Sequence, residues 1–152
     1  MQVLASPPRQ TDRGRAFLSD HPVESTLVDG RPVLLVAVRL PSYRSLPLSC
    51  IDSVSLSIDG TPVDADRLEL IVGGRAFPVN DLGTHSRVWW FVLEVAWLRC
   101  RLDRAPAGSE ASVRGELVTV EPYISNGRFL FAYESERTLE VVAAHQDAVR
   151  RG

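Results

Sequence analysis

Ser53-Val54-Ser55-Leu56-Ser57-Ile58-Asp59-Gly60 decides the fold. Small polar residues alternate with branched apolar ones, so one set of side chains faces a core and the other faces water, the two-residue period of a half-buried β-strand. Asp59-Gly60 then closes it with a dipeptide suited to the positive φ angles of a tight hairpin. The return, Thr61-Pro62-Val63, is short, and Pro62 lacks the N–H that an interior strand would donate, which suits a sheet edge.

The same grammar recurs on both sides. Upstream, Thr26-Leu27-Val28, a turn at Asp29-Gly30 and Pro32-Val33-Leu34-Leu35-Val36-Ala37-Val38-Arg39-Leu40 predict a second hairpin. Its continuously apolar second arm is expected to be buried on both faces or to lie in a sandwich core. Downstream, the strand from Arg67 to Val72 turns at Gly73-Gly74 into Arg75-Ala76-Phe77-Pro78-Val79, and a polar loop runs from Asn80 to Ser86. The stretch from Arg87 to Leu102 is conceivable as a helix, with Trp90, Leu93, Ala96-Trp97 and Cys100 on one side. Its opening cluster of Val and bulky aromatics favours one long strand, or a strand with a bulge. By parity Trp97 shares the face of Trp89 and is expected in the core.

After a loop at Ala105-Pro106-Ala107-Gly108, a strand is predicted from Ser112 to Val120, running on to Pro122-Tyr123-Ile124. Asn126-Gly127 is a turn signal. The stretch from Ser125 to Glu136 is less regular, and Leu139-Glu140-Val141-Val142 is the last strand. About seven to nine short strands at hairpin spacing, without a convincing helix, predict an all-β, antiparallel β-sandwich of a single domain. It is expected to occupy residues 23–143, between a flexible N-terminal arm, 1–22, and a flexible tail, 144–152. Phe17 and Leu18 are the only apolar pair in the arm able to dock.

A chain of 152 residues is long enough for one sizeable core. Its charge of -2 and 24% charged content argue against a nucleic-acid binder, so partners must be sought locally. Every cation is an arginine, a planar fork suited to carboxylates and carbonyls. Met1 to Thr11 lacks a basic region followed by an apolar run, and the apolar runs are too short to span a bilayer. A cytoplasmic protein with no membrane contact is expected. Cys50 and Cys100 lack metal spacing and are read as reduced, half-buried small hydrophobes.

No catalytic array stands out. His21, His85 and His145 lie apart beside flexible sequence, without metal-ligand spacing, and read as exposed. Asp64 with Asp66 and Glu134 with Glu136 read as solvated turns, although such spacing on a strand would put both carboxylates on one face. The hairpin glycines precede no helix and cradle no phosphate. Catalytic and metal-ligating residues are therefore expected to be none in this chain. Trp89-Trp90 offers flat rings that would suit a sugar or a packed interface. In a strand the two point to opposite faces, so at most one can join the core while the other must be covered or bind something.

Leu40-Pro41-Ser42-Tyr43-Arg44-Ser45-Leu46-Pro47-Leu48-Ser49-Cys50-Ile51 joins two apolar strands. Pro41 and Pro47 stiffen it. Tyr43 supplies contact area at low entropic cost and Arg44 a directional fork, a pairing common in binding hot spots. Pro41, Tyr43, Arg44, Ser45 and Pro47 are thus the candidate partner- or substrate-proximal loop, with Trp89 and Trp90 a candidate platform or interface.

That loop, with Val54-x-Leu56-x-Ile58-Asp59-Gly60 and the tryptophan-centred strand at Trp89 or Trp90, resembles the small β subunit of bacterial C-glycoside deglycosidases over residues 31–123. Family members more often carry Tyr-Tyr-Arg-Gly where Ser42-Tyr43-Arg44-Ser45 stands here; Tyr43, Arg44 and Pro47 are kept. The resemblance implies an accessory β-sandwich bound to a larger α subunit, a TIM barrel of the sugar isomerase/epimerase type holding a divalent metal, usually manganese. The complex it implies breaks the carbon–carbon bond between a 3-oxo sugar and an aromatic aglycone by β-elimination, with the metal stabilising the enolate. A stand-alone carbohydrate-binding or protein-interaction sandwich is the alternative.

Overall fold

The computed structural model describes residues 9–12, 16–122 and 129–144. Among the described residues twelve strand segments follow one another: β1 (Arg9–Asp12), β2 (Val23–Val28), β3 (Arg31–Arg39), β4 (Leu46–Pro47), β5 (Ile51–Ile58), β6 (Thr61–Val63), β7 (Leu68–Val72), β8 (Arg75–Pro78), β9 (Trp89–Trp90), β10 (Val95–Arg101), β11 (Glu110–Val120) and β12 (Leu130–Ala143). Short 3₁₀ helices lie at Leu48–Cys50, Ala65–Arg67 and Val79–Thr84. The main sheet has the order β6-β5-β11-β12-β2-β3-β10-β7-β8, with β1 also against β12, and it curls over one core; β4 and β9 make a separate ribbon. The chain is an all-β sandwich in a single domain.

Three hairpins sit where the turn dipeptides put them. Asp29 and Gly30 have φ of 52° and 76°, Asp59 and Gly60 50° and 81°, and Gly73 and Gly74 58° and 78°. Two successive positive φ angles match the right-handed twist of the flanking strands, and Gly or Asp adopts them at least cost. β6, carrying Pro62, is an edge strand. Leu34, Val36 and Val38 of β3 enter the main core, while Leu35 packs with Ile71 and Trp97 on the other face. Both faces of β3 are thus covered.

Three stretches depart from the sequence reading. The run from Arg87 to Leu102 is two strands, broken by a turn in which Glu94 N–H donates to the Phe91 carbonyl at 2.9 Å. β9 pairs with β4, whereas β10 pairs with β3 and β7, so two different partners claim the two halves. Trp97 is correspondingly half-buried against Leu35 and Ile71, outside the main core; Ala96, Leu98 and Cys100 take the inward positions. The last strand begins at Leu130, and Glu134 and Glu136 lie inside it, opposite Glu116 and Arg114, rather than in a turn.

The third departure explains the second. β1 and β2 run parallel to the two ends of β12, and between them the chain turns inward at Phe17-Leu18, both buried. Leu18 N–H donates to Ser135 Oγ at 3.0 Å, and Arg137 Nε–H donates to the Leu18 carbonyl at 3.2 Å. Polar side chains that read as loop therefore satisfy a buried backbone. Ser19 N–H donates to the Ala37 carbonyl and Arg39 N–H to the Phe17 carbonyl, at 3.0 and 2.8 Å, which ties the same segment to β3. Residues 16–22, expected in a loose arm, pack against the body. The Asn126-Gly127 turn and the 145–152 tail lie outside the described residues.

Gly115 of β11 makes room for this insertion. A Cβ there would meet Leu18 Cδ2 at 3.0 Å and Phe17 Cδ2 at 3.2 Å. Gly115→Val is expected to destabilise by about 1–3 kcal/mol through overpacking, read in thermal unfolding as a fall in Tm of roughly 2–4 °C per kcal/mol. The penalty should shrink in a Phe17→Ala background; a variant as stable as wild type would contradict this packing.

Candidate functional site

The candidate loop leaves β3 at its C-terminal end, and its base is buried: Leu40, Pro41, Ser42, Leu46 and Leu48 all point inward. From this base Tyr43 and Arg44 project, Tyr43 at 73% exposure. The base is held by a residue that the sequence did not announce. Glu121, 1% exposed, accepts from Ser42 Oγ at 2.8 Å, from Thr119 Oγ1 at 3.0 Å and from Tyr133 Oη at 2.6 Å. A buried carboxyl is tolerable when hydroxyls replace its water, and bonds to a charged acceptor are among the stronger ones. Ser42 Oγ also accepts from Arg44 N–H at 3.3 Å, which sets the direction of the tip. Lying between Val120 and Pro122 at a strand end, Glu121 looks in sequence like any solvated terminus.

The far arm of the loop is zipped to the tryptophan segment. Leu46 stands opposite Trp90 and Pro47 opposite Trp89. Leu48 N–H donates to the Val88 carbonyl at 2.8 Å and Ser49 N–H to the His85 carbonyl at 3.2 Å. Directly opposed residues share a face, so Leu46 and Trp90 are both buried while Pro47 and Trp89 lie outward. Trp90 is at 0% exposure and its Nε1–H donates to the Glu94 carbonyl at 3.0 Å; Trp89 is 47% exposed. The structure thus brings Pro41, Tyr43, Arg44, Ser45, Pro47, Trp89 and Trp90 into one double loop and leaves only Trp89 of the tryptophan pair available for ring stacking.

The turn after Trp90 belongs to the same unit. Val92 N–H donates to Ser45 Oγ at 2.8 Å, and Gly73 N–H donates to Glu94 Oε2 at 2.8 Å. Phe91 and Leu93 nevertheless face water, at 60% and 92% exposure. Without a glycine or proline to mark it, this turn gives no sequence signal.

His21, His85 and the Asp66 carboxylate make separate local contacts. His21 hydrogen-bonds Ser19 Oγ and lies edge-on to Trp97, with ring centroids 6.3 Å apart. His85 lies edge-on to Phe77 at 4.7 Å and 3.3 Å from Asp81 Oδ2, so both histidines are half-buried rather than fully exposed. Asp66 accepts from Asn80 Nδ2 at 2.8 Å in an exposed position. Among the described residues no group of three His, Cys, Asp or Glu could hold a metal, and no helix is long and apolar enough to cross a membrane. Cys50 and Cys100 are free; Cys100 is fully buried, and Cys50 is half-buried. Burial pushes both thiols up, and for Cys50 the charge of Glu121 adds to the effect.

Fold and site together define an all-β sandwich that presents a braced double loop with an aromatic tip. Residues 22–123 match the family described as C-glycoside deglycosidase beta subunit, and the chain belongs to that family. It is 33% identical over 133 residues to a C-glycoside deglycosidase beta subunit of Arthrobacter globiformis, covering 86% of this chain and 100% of the relative. Against a C-glycoside deglycosidase beta subunit of Microbacterium trichothecenolyticum it is 37% identical over 124 residues, 80% of this chain and 94% of the relative. A 3'-dehydrocarminate deglycosidase beta subunit of a Microbacterium species matches at 35% over 77 residues, 51% of this chain and 58% of the relative.

Tyr133→Phe removes one hydroxyl from Glu121 and is expected to cost about 1.5–3 kcal/mol in denaturant unfolding; an unchanged midpoint would contradict the buried carboxyl anchor. In native protein near neutral pH, Cys50 should react slowly with a thiol reagent and Cys100 should react only on unfolding, because the thiolate is the nucleophile. Immediate modification of both thiols would contradict their burial.

Proposed function

We propose that this chain is the accessory β subunit of a C-glycoside deglycosidase complex. It works in the cytoplasm beside a larger TIM-barrel α subunit, and the divalent metal, manganese by the resemblance, belongs to that partner. The complex cleaves the C–C bond between a 3-oxo sugar and an aromatic aglycone. The 3-oxo group acidifies the C–H beside it; loss of that proton forms a double bond in the sugar as the aglycone departs with the bonding pair and takes up a proton. This chain's contribution is to complete and stabilise the α subunit, with Tyr43 and Arg44 lining the contact at or near the substrate.

The observation that carries this reading is the exposed Tyr43-Arg44 tip on a buried, hydrogen-bonded base, in a chain whose relatives are named beta subunits of C-glycoside deglycosidase. A tyrosine and an arginine on a base ordered in advance lose little entropy on docking.

Co-expression with a candidate α subunit should give one species in size exclusion and 3-oxo-C-glycoside cleavage that neither chain gives alone. Tyr43→Ala and Arg44→Ala should each weaken assembly or turnover roughly tenfold, a loss of about 1.4 kcal/mol, with the fold intact. Separate elution in mild salt, or cleavage by this chain alone, would overturn the reading.

A further inference from the structure

We infer that the turn between β9 and β10 is the apolar centre of the surface that seats the larger subunit, and that the seat it fits is an apolar depression ringed by carboxylates. This rests on the accessory-subunit reading and adds residues and a complementary chemistry to it. Leu93 at 92% and Phe91 at 60% exposure are large apolar side chains standing in water. In a loose loop they would fold back onto the protein. Here they cannot, because the turn is fastened by Val92 N–H to Ser45 Oγ, Glu94 N–H to the Phe91 carbonyl, Trp90 Nε1–H to the Glu94 carbonyl and Gly73 N–H to Glu94 Oε2. Large apolar groups held rigidly outward are ready anchors for a partner pocket, since their ordering precedes binding.

The anchors do not stand alone. The bond from Val92 to Ser45 puts the turn beside the Tyr43-Arg44 tip, and Trp89 lies outward in the same ribbon opposite Pro47. Tyr43, Trp89, Phe91 and Leu93 are thus four exposed large apolar side chains on one double loop. An exposed apolar face rimmed by polar groups marks an interaction site more often than isolated exposed residues do. The rim has a sign. Residues 39–50 and 85–95 carry three arginines, Arg39, Arg44 and Arg87, all exposed, against Glu94, a local charge of +2 with His85 neutral in a chain whose net charge is -2. Guanidinium groups pair with carboxylates as flat forks, and opposite charge around an apolar centre fixes orientation and speeds association.

Leu27 supplies a control. It is an exposed apolar residue on β2 beside the Asp29-Gly30 turn, at the other end of β3 from the candidate loop. The strand rise separates the two ends by roughly 26 Å.

The test measures affinity for a tagged candidate α subunit of the barrel type, one that co-purifies with wild-type chain on co-expression, using Leu93→Asp, Phe91→Asp, Arg87→Ala and Leu27→Asp, each checked for wild-type Tm. Leu93→Asp and Phe91→Asp should each raise Kd at least tenfold. Arg87→Ala should slow association at low salt, and Leu27→Asp should stay within twofold of wild type. If wild type binds and both turn variants bind within twofold of it, the inference falls while the accessory-subunit reading stands. If wild type does not bind, both fall. Sedimentation of the chain alone decides against a second copy as occupant: a dimer abolished by Leu93→Asp, with affinity for the barrel subunit unchanged, would overturn the proposal.

Discussion

The antiparallel step between Leu46-Pro47 and Trp89-Trp90 governs the candidate-site end of this molecule. It joins two loops that leave neighbouring strands β3 and β10 and would otherwise move separately. Its inward pair, Leu46 and Trp90, is fully buried, and burying an indole of that size is a large apolar gain. With the inward pair fixed, the outward side chains follow from the pleat: Pro47 and Trp89 must face out. The Phe91 turn must then leave the ribbon beside Ser45. The aromatic surface is a consequence of how Trp90 is buried.

A second constraint lies at the base. β12 is paired with β11 along 11 residues, and the N-terminal chain follows its other edge, dipping inward at Phe17-Leu18 over Gly115. Tyr133 on the same strand reaches Glu121, and Glu121 reaches Ser42. The candidate loop is thereby tied through hydrogen bonds to the strand that links the two layers of the sandwich. A partner docking on the tip would meet a surface supported by the core.

Much of this was legible in the residues. Asp29-Gly30, Asp59-Gly60 and Gly73-Gly74 announce their hairpins because positive φ is a local requirement that few residues meet. The alternation in β5 and the apolar run in β3 announce their burial. The loop and its tip were legible through Tyr43 and Arg44 between two prolines. What was illegible depended on partners distant in sequence. The Phe91 turn is made by Ser45 and Gly73, which lie 47 and 21 residues from their partners Val92 and Glu94. Ser135 and Arg137 look like loop residues until Leu18 lies beside them, and Glu121 looks solvated until three hydroxyls surround it. Periodicity reports which face of an element is buried; it does not report which remote group satisfies a polar atom.

The central claim, that the two loops form one ordered unit before any partner arrives, is open to direct measurement by amide hydrogen exchange on the chain alone. The amides of Leu48 and Val92, and the indole N–H of Trp90, should exchange with protection approaching that of the β3 amides, since opening them requires exposing Trp90. Exchange of all three at rates near those of an unstructured peptide, with β3 still protected, would show that the double loop is not ordered on its own and would contradict the account.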